Sequence, residues 1–290
     1  MRDHSPTLGQ AYCELVSGLS ALQHIANPQE KAAIALEIVA GAGREEVVLE
    51  PSRRLSDTVA ARLDRVLEQA RQGMPLAYAL GECYFAGRRF LVNENVLIPR
   101  PDTETLLQVA LRFCQRREGA LRVLEIGVGS GAVIVSLGAE LAGRELFLTG
   151  TDVSQEALEV AAANADSHQM DLNLLAGSLF APLRQDSRFD LLVSNPPYVG
   201  AGEQVEDSVR AYEPANAYRV PAGNAPTHFH RRIAEEARER MTSGAMLALE
   251  VGFSQADEVS AVLRANGYVE ITSTRDLAGV DRVVSAICPA

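Results

Sequence analysis

The chain of 290 residues lacks the sequence features that mark membrane-spanning, secreted and most nucleic-acid-binding proteins. No continuous apolar run is long enough to span a bilayer, and the N-terminal residues carry no apolar segment typical of a signal peptide. Lys31 is the only lysine and the formal net charge is −11, so the basic stripe with which proteins usually grip duplex nucleic acid is not evident. These absences favour a cytoplasmic protein with no membrane partner and no direct nucleic-acid partner.

Cysteine is also scarce, with four residues scattered along the chain: Cys13, Cys83, Cys114 and Cys288. They form no Cys-x-x-Cys pair and no His-rich segment accompanies them. The pattern indicates reduced thiols, and it supports neither a zinc site nor a disulfide framework. We therefore expect no metal site.

The spacing of apolar residues divides the chain into three predicted parts. Residues 1–75 carry apolar residues at helical spacing and are expected to form a small helical bundle for substrate recognition. Residues 76–101 read as a β-hairpin and an extended, proline-stiffened linker, and residues 102–290 read as the catalytic domain. The helices expected in the bundle run from Leu8 to Leu19, from Pro28 to Val39, and from Ser56, as N-cap, to Arg71.

From residue 121 onwards strands and helices alternate, which predicts an α/β fold with a doubly wound, mostly parallel sheet. The last two strands are joined by about six residues, too few for a helical crossover, so that pair is expected to be antiparallel. Asp102 or Thr103 is expected to cap a helix that runs to about Arg117. The predicted strands are 121–126, 146–151, 172–176, 189–194, 245–251, 268–274 and 281–287, and the predicted helices lie near 131–142, 154–167, 228–241 and 255–265.

A glycine-rich loop follows the first of these strands and indicates a cofactor site. The loop residues expected to touch the cofactor are Gly127, Val128, Gly129, Ser130 and Gly131. Glycines allow close approach of the backbone to a ligand, and the following helix offers free N–H donors at its start. Asp152 ends the second strand, where a carboxylate can accept both ribose hydroxyls of an adenosine. The combination predicts a cofactor that contains a nucleoside.

Two cofactors fit this pattern, and S-adenosylmethionine is favoured over NAD. The run Gly127-x-Gly129-x-x-Ala132 also satisfies the relaxed dinucleotide fingerprint. However, Glu125 precedes the loop, where a carboxylate suits a cationic amino-acid end better than a pyrophosphate. A dehydrogenase would also need a proton-transfer group, and the segment Asn195–Tyr198 supplies no acid or base.

The segment Asn195-Pro196-Pro197-Tyr198 follows the predicted strand 189–194 and is expected to be catalytic. Neither proline has an N–H, so the nearby carbonyls have no competing donors. An open amide, bare carbonyls and a flat ring suit a planar nitrogen that carries hydrogens, either an amide or an exocyclic amine. We expect Asn195 Oδ1 and the Pro196 carbonyl to accept its two N–H groups, and Tyr198 to pack against its flat face. Asn195 is also expected to border the cofactor.

These motifs occur in the order seen in the HemK/PrmC family of glutamine-amide methyltransferases, which the chain resembles over about residues 75–290. Phe85–Glu104 looks like the family's hairpin and linker, and Asp276–Val284 looks like its C-terminal signature. The resemblance implies a Rossmann-like class I S-adenosylmethionine-dependent methyltransferase sheet with an N-terminal helical bundle and a linking hairpin. It also implies methylation of the glutamine in the Gly-Gly-Gln tripeptide of class 1 peptide release factors. The release factor is then the expected partner, and we expect a monomer.

Two departures from the family pattern bear on the site. Ser178 stands where the family often has an aspartate that contacts the adenine amino group; a hydroxyl still accepts a hydrogen bond, so Ser178 and Leu179 remain expected cofactor contacts, with weaker binding. Residues 217–230 replace a Gly-Gly, Asp-Gly-Leu type segment on the substrate side. A ribosomal-protein glutamine, a small-molecule amide or amine, and the adenine amino group of nucleic acid therefore remain alternative substrates. His228 and His230 are expected to be surface residues or helix caps rather than metal ligands.

Overall fold

A computed structural model of the chain describes residues 5–289, so residues 1–4 and 290, at the ends of the predicted domains, lie outside the described residues. Backbone contacts divide the chain into two units. One comprises the chain up to Glu82 together with Asp207–Tyr212, and the other comprises Cys83–Glu206 and the chain from Glu213 onwards. Within the described residues, none of the helices combines the length and the apolar character needed to cross a membrane.

The three helices predicted in the N-terminal part are present. Ser56 caps the third of them, because its side chain accepts a hydrogen bond from the backbone N–H of Val59. Two further helices were not predicted, one of them at the start of the segment expected to be hairpin and linker, since six residues or fewer give too little apolar periodicity to recognise. In chain order the five are α1 (Leu8–Ser20), α2 (Pro28–Ala40), α3 (Arg44–Leu49), α4 (Asp57–Arg71) and α5 (Leu76–Leu80).

The predicted hairpin is confirmed as a separate two-stranded sheet, formed by β1 (Glu82–Phe85) and β2 (Arg88–Leu91). The chain then runs without regular structure to a short 3-10 turn, Pro101–Thr103, followed by α6 (Glu104–Gln115). Thr103 occupies the N-cap position of α6 as predicted, but its side chain makes no capping hydrogen bond. The hydroxyl of Thr103 is therefore available for a different contact.

All seven strands predicted for the large sheet are present. They are β3 (Leu121–Ile126), β4 (Leu146–Asp152), β5 (Leu172–Ala176), β6 (Phe189–Ser194), β7 (Met241–Glu250), β8 (Val269–Arg275) and β9 (Asp281–Ile287). The remaining helices in chain order are α7 (Ala132–Glu140), α8 (Gln155–Ser167), α9 (Asp207–Tyr212), α10 (Ala215–Tyr218), α11 (His228–Ala237) and α12 (Ala256–Ala265). The predicted end of α11 at residue 241 was wrong, because a 3-10 turn, Arg238–Arg240, follows Ala237 and β7 begins directly after it.

The strand order is β5-β4-β3-β6-β7-β9-β8, which confirms the doubly wound sheet. The first five strands in this order are parallel, and β9 runs antiparallel to both of its neighbours, as predicted for the last pair. Side chains alternate between the two faces of the sheet, so Val123 and Leu124 of β3 belong to different buried apolar clusters, one on each face.

The order of strands reverses between β3 and β6, and open α/β sheets bind ligands outside the carboxyl ends of the strands at such a point. Ile126, the last residue of β3, is paired in register with Ser194, the last residue of β6. The hydroxyl of Ser194 donates a hydrogen bond to the Ile126 carbonyl at 2.7 Å. The loops that follow these two strands therefore start side by side.

Candidate active site

A cavity opens at the carboxyl ends of β3, β4 and β6 and gathers most of the residues predicted for the site. Gly131 and Tyr198 are the predicted residues that lie outside its lining. Gly131 instead occupies the N-cap position of α7 with a left-handed backbone. The predicted residues that line the cavity are Glu125, Gly127, Val128, Gly129, Ser130, Asp152, Ser178, Leu179, Asn195, Pro196 and Pro197.

The glycine loop owes its shape to three residues with positive φ, one of which is the N-cap Gly131. Gly127 has φ of 70° and Gly129 has φ of 52°, which L side chains rarely adopt. A Cβ at either position would have no heavy atom within 4 Å, so the space it would fill is left open beside the cavity. Backbone N–H groups of Gly127 and Val128 both donate to the Thr151 carbonyl and fix the turn against β4.

Asn164 on α8 holds this loop from behind. Its side chain is fully buried, and Nδ2 donates to the Ser130 carbonyl at 2.8 Å. The same amide exchanges two hydrogen bonds with Leu91 of β2: Oδ1 accepts from the backbone N–H at 2.7 Å, and Nδ2 donates to the carbonyl at 3.0 Å. One buried amide therefore connects the glycine loop to the hairpin.

Asp152 is held in a fixed orientation at the end of β4. Its Oδ2 accepts from the Gly129 N–H at 3.0 Å, and its Oδ1 accepts from the Ser154 N–H at 3.0 Å. Each carboxylate oxygen can accept more than one hydrogen bond, so both retain capacity for hydroxyl donors. The carboxylate is thus preorganised beside the cavity.

Glu125 is a nearly buried carboxylate, 3% exposed, and its Oε2 accepts from the Ile134 N–H at 3.0 Å. Burial raises the pKa of Glu125 to about 8, against the opposing effect of the Ile134 hydrogen bond and with a further increase from the charge of Asp152. Among the described residues no basic side chain forms an ion pair with Glu125. A bound cation would relieve this unfavourable burial.

Ser178 and Leu179 line the cavity from the loop after β5. Leu179 adopts a left-handed backbone with φ of 50°, which is uncommon for a residue that is not glycine and is a source of local strain. Gly177 before them donates its N–H to the Asp152 carbonyl at 2.8 Å. The loop is therefore tied to the end of β4.

The amide of Asn195 is oriented by a residue that the sequence reasoning did not place at the site. Its Nδ2 donates a hydrogen bond to Thr103 Oγ1 at 3.2 Å, and Thr103 also lines the cavity. None of the described residues donates a hydrogen bond to Asn195 Oδ1. The acceptor end of the amide is thus the end left for a ligand.

Tyr198 packs against the loop after β7 instead of lining the cavity. Its carbonyl accepts from Gln255 Nε2 at 3.1 Å, and a Cβ placed on Gly252 would lie 2.9 Å from its ring. Burial, with a further contribution from the charge of Glu250, raises the pKa of the phenol to about 12, so the hydroxyl stays protonated. A contact between Tyr198 and a substrate amide stays a prediction.

Two segments distant in sequence complete the cavity; no residue of either was named for the site, although residues 217–230 were expected on the substrate side. The linker contributes Asn95, Val96, Leu97, Pro99, Arg100 and Thr103. The region after the prolines contributes Pro214, Asn216, Ala217 and Phe229, the last two from the segment that departs from the family pattern. For the linker residues, the resemblance of that segment to a known family was the signal that could have placed them at the site.

His230 differs from the expectation of a surface residue or helix cap. It is fully buried, and because a carbonyl can only accept, its Nε2–H donates to the Glu250 carbonyl at 2.8 Å. Burial lowers the pKa of His230 to about 4, so the ring is neutral. Within the described residues, no group of three or more His, Cys, Asp and Glu side chains is arranged to hold a metal ion.

Two protein families match the sequence. Residues 15–81 match the PrmC N-terminal domain, and residues 103–213 match the methyltransferase small domain. The second match contains the glycine loop, Asp152 and the segment from Asn195 to Tyr198. The loops that follow β3, β4 and β6 therefore lie within one matched domain, whereas the lining residues before Thr103 and after residue 213 lie outside it.

The regions aligned with curated relatives cover most of the chain. A release factor glutamine methyltransferase from Caulobacter vibrioides is 36% identical over 91% of this chain and 90% of its own length. Another from Geobacter sulfurreducens is 40% identical over 72% of each chain. A bifunctional methyltransferase from Rickettsia bellii is 32% identical over 93% of this chain, which spans 53% of that relative's length.

Solved structures agree on the fold. A methyltransferase from Pyrococcus furiosus superposes with a TM-score of 0.52 at 17% identity, over 80% of this chain and all of that one. At this identity the likeness concerns the fold alone, and it agrees with the class I methyltransferase architecture that the family resemblance implies.

Proposed function

The chain belongs to the family of release factor glutamine methyltransferases, and from that premise we propose that it methylates the side-chain amide nitrogen of a protein glutamine with S-adenosylmethionine as methyl donor. The proposed substrate is the glutamine of the Gly-Gly-Gln tripeptide in a class 1 release factor. The family membership bears out the resemblance of the motifs, while the donor and the substrate of this particular chain are the proposal.

The observation that carries the proposal is the meeting of two loops in one cavity. The glycine loop follows Ile126 and the Asn195 segment follows Ser194, and these two residues are paired in register and hydrogen-bonded. A donor held by the first loop would be presented to an acceptor held by the second. This juxtaposition is what a methyl transfer between two bound molecules requires.

The side chains of the cavity fit S-adenosylmethionine in character and in position. Glu125 would bind the cationic amino-acid end, Asp152 the ribose hydroxyls, and Ser178 with Leu179 the adenine. The open space beside Gly127 and Gly129 leaves room for backbone contact. When bound, the donor supplies a methyl group attached to a positively charged sulfur.

The acceptor residues would act by orientation. An amide nitrogen is a poor nucleophile because its lone pair is delocalised into the carbonyl. Asn195 Oδ1 and the Pro196 carbonyl would each accept one N–H of the substrate amide, fix its plane and raise electron density on nitrogen. The nitrogen–carbon bond forms as the carbon–sulfur bond breaks, and the nitrogen then releases a proton to water. No general base is needed before the transfer, so positioning and dipoles supply the catalysis.

Three further assignments belong to the proposal: the location, the oligomeric state and the role of the N-terminal helices. Translation takes place in the cytoplasm, so the reaction would take place there, with the enzyme acting as a monomer on a protein partner. The helical residues 1–75 would contribute to recognition of that partner, since the cavity itself is lined by residues from Asn95 onwards.

The test is a methylation assay with the full chain, labelled S-adenosylmethionine and a purified class 1 release factor. A release factor with alanine in place of the tripeptide glutamine is the matched control, and ribosomal proteins and unmodified DNA and RNA are the competing substrates. We expect label only in the intact release factor, with mass spectrometry locating one methyl group on the glutamine. Label in nucleic acid alone, or equal label in the alanine control, would overturn the proposal.

A further inference from the structure

Among the described residues, the two most exposed large apolar side chains are Phe253 and Leu277. Phe253 is 79% exposed, and Leu277 is fully exposed. Single apolar residues on a surface are common and need no explanation. These two, however, lie on neighbouring loops of one sheet, because Phe253 follows the end of β7 and Leu277 lies in the turn between β8 and β9. They are called here the rim pair.

The strand register places the rim pair at the edge of the sheet where the Asn195 segment begins. Ser194, the last residue of β6, is paired with Leu249 of β7. The next residue of β7, Glu250, is paired with Val283 near the start of β9. Because β9 is antiparallel to both of its neighbours, the turn that joins it to β8 lies beside the carboxyl end of β7. The rim pair therefore lies at the edge of the sheet where the cavity opens.

The loop that carries Phe253 is held against the segment proposed to bind the substrate amide. Gln255 Nε2 donates to the Tyr198 carbonyl at 3.1 Å, and Gln255 Oε1 accepts from the Gly252 N–H at 2.9 Å. The Gly252 backbone lies so close to the Tyr198 ring that a Cβ on it would come within 2.9 Å. Tyr198 directly follows Pro197, which lines the cavity. Phe253 therefore lies beside the acceptor side of the cavity.

The turn that carries Leu277 is built around Asp276. Asp276 Oδ1 accepts from the backbone N–H groups of Ala278 and Val280 at 2.9 and 3.0 Å. The backbone N–H of Asp276 donates to the Val280 carbonyl at 2.9 Å. Leu277 is therefore exposed by a turn with a defined set of hydrogen bonds, and not by a loop without internal contacts.

Arg282 of β9 joins this turn to the linker side of the cavity. Its guanidinium forms ion pairs of 3.0 Å with both Asp276 and Asp102. Asp102 directly precedes Thr103, a lining residue whose hydroxyl accepts from the Asn195 amide. The turn is thus fixed to the part of the cavity that orients the proposed acceptor residue.

The position of the rim pair favours one occupant, the substrate polypeptide. Aromatic side chains are enriched at protein–protein interfaces, and burial of apolar surface stabilises association. The rim pair borders the acceptor side of the cavity, and the proposed acceptor is one glutamine within a folded protein. That glutamine reaches the Asn195 amide only if the chain on either side of it passes over the rim. An apolar side chain close to the tripeptide would then cover the rim pair.

We propose that Phe253 and Leu277 form a docking surface for the substrate polypeptide and bind an apolar side chain next to the methylated glutamine. The inference rests on the proposed function, because the glutamine and its place in a class 1 release factor come from it. It adds two residues outside the cavity that determine affinity for the protein substrate. Their contact is equal in the ground state and the transition state, so it affects KM and not kcat.

The first test is methylation of the release factor by Phe253→Ser and by Leu277→Ser in the full chain. Both side chains are exposed, so thermal unfolding should match the wild type. We expect KM for the release factor to rise about 10-fold in each variant, since each loses the burial of one large apolar side chain. Values of kcat and of the affinity for S-adenosylhomocysteine should stay within about twofold. A wild-type KM in both variants would overturn the inference.

The matched controls are Phe147→Ser and Val269→Ser, at the opposite edge of the sheet. Phe147 lies near the start of β4, and Val269 begins β8 and is paired with Ile287 at the end of β9. Both are apolar and partly exposed, and the same chemical change there should leave KM for the release factor as in the wild type. An equal rise in KM in the controls and in the rim variants would contradict a docking surface at the rim.

Photo-crosslinking locates the docking surface directly. With p-benzoylphenylalanine in place of Leu277, illumination should attach the enzyme to the release factor, and mass spectrometry should place the attachment beside the tripeptide. The same group in place of Phe147 should give no such product. Attachment only at sites remote from the tripeptide would refute the proposed occupant.

The wild-type protein separates a failure of this inference from a failure of the proposed function. If it methylates the release factor and neither rim variant changes KM, the proposed function stands and the docking surface does not. If it does not methylate the release factor, both are refuted, because the named occupant is that substrate. A second copy of this chain is the competing occupant: a wild-type dimer in light scattering that becomes a monomer in Leu277→Ser would also refute docking of the substrate.

Discussion

The guanidinium of Arg100 lies 2.5 Å from the carboxylate of Glu213, although the Arg100 side chain is 36% exposed and that of Glu213 only 1%. The second oxygen of Glu213 accepts from the backbone N–H of Ile98 at 3.1 Å. One buried carboxylate therefore fixes both the backbone and a side chain of the linker that borders the cavity. The linker has no regular secondary structure of its own. These contacts therefore take the place of the backbone hydrogen bonds that a strand forms with its neighbour.

Arg100→Ala should lower the free energy of unfolding by about 1–3 kcal/mol, because it removes a hydrogen-bond donor from a buried acceptor. Urea unfolding measures the change. Arg210→Ala is the control, since its ion pair with Asp207 is largely exposed and contributes about 0–1 kcal/mol at most. Equal losses in the two variants would show that burial of Glu213 does not matter.

Glu125→Gln should stabilise the ligand-free protein at pH 8 more than at pH 5. Between the ordinary carboxyl pKa of 4.5 and the raised value of about 8, the unfolded chain has released the proton that the folded protein retains. The stability of the wild type therefore falls as pH rises through this window. Glutamine removes that titration, and the difference between the variants should grow to the order of a few kcal/mol.

The measurement for Glu125→Gln is chemical unfolding at both pH values, with exposed Glu45→Gln as the control that should show no such trend. Binding of S-adenosylmethionine should weaken about 10-fold or more by calorimetry, because a charge-assisted contact is lost. A stability difference that is the same at pH 5 and pH 8 would show that Glu125 is not the group that titrates.

Asn195→Ala should reduce kcat by about 10²–10³-fold, the range for loss of one preorganised polar contact in a transition state. Affinity for S-adenosylhomocysteine, measured by calorimetry, should change little, since the glycine loop and Asp152 remain. Single-turnover methylation of the release factor checks the rate. Near wild-type turnover with unchanged cofactor affinity would refute the amide-clamp mechanism.

Ser178→Asp should tighten binding of S-adenosylmethionine about 3- to 10-fold. Ser178 lines the cavity, and a carboxylate accepts a hydrogen bond from the adenine amino group more strongly than a neutral hydroxyl. Ser178→Ala is the paired variant and should weaken binding by a similar factor. Calorimetry that gives the same dissociation constant for all three proteins would exclude a contact with the adenine.

The sheet could be predicted because each strand carries its own local signal. Strands 121–126, 172–176, 189–194 and 281–287 match the structure residue for residue, since each is an apolar run closed by turn residues or glycine. The helices α3, α5, α9 and α10 were not predicted, because none exceeds six residues and one or two turns show no period. The order of strands that brings the two loops together is non-local and was not predicted, since the repeated β-α pattern indicated only a doubly wound, mostly parallel sheet.

The glycine loop, Asp152 and the Asn195 segment could be predicted because each is contiguous and ends a strand. Thr103 and Asn164 could not, since their roles depend on contacts with residues far away in sequence; Asn195 and Thr103, for example, are 92 positions apart.

The amide of Asn164 has one further consequence, for the behaviour of the hairpin in solution. The Asn164 side chain forms hydrogen bonds with both the Ser130 carbonyl and the Leu91 backbone. Ordering of the glycine loop therefore favours the arrangement of the hairpin in which Leu91 is bonded to Asn164. Coupling of this kind is reciprocal, so a change that makes the hairpin fray more easily must also weaken the binding of a ligand at the glycine loop. The backbone amide of Leu91 should therefore exchange with deuterium more slowly once S-adenosylmethionine is bound, at a strand that contributes nothing to the lining of the cavity.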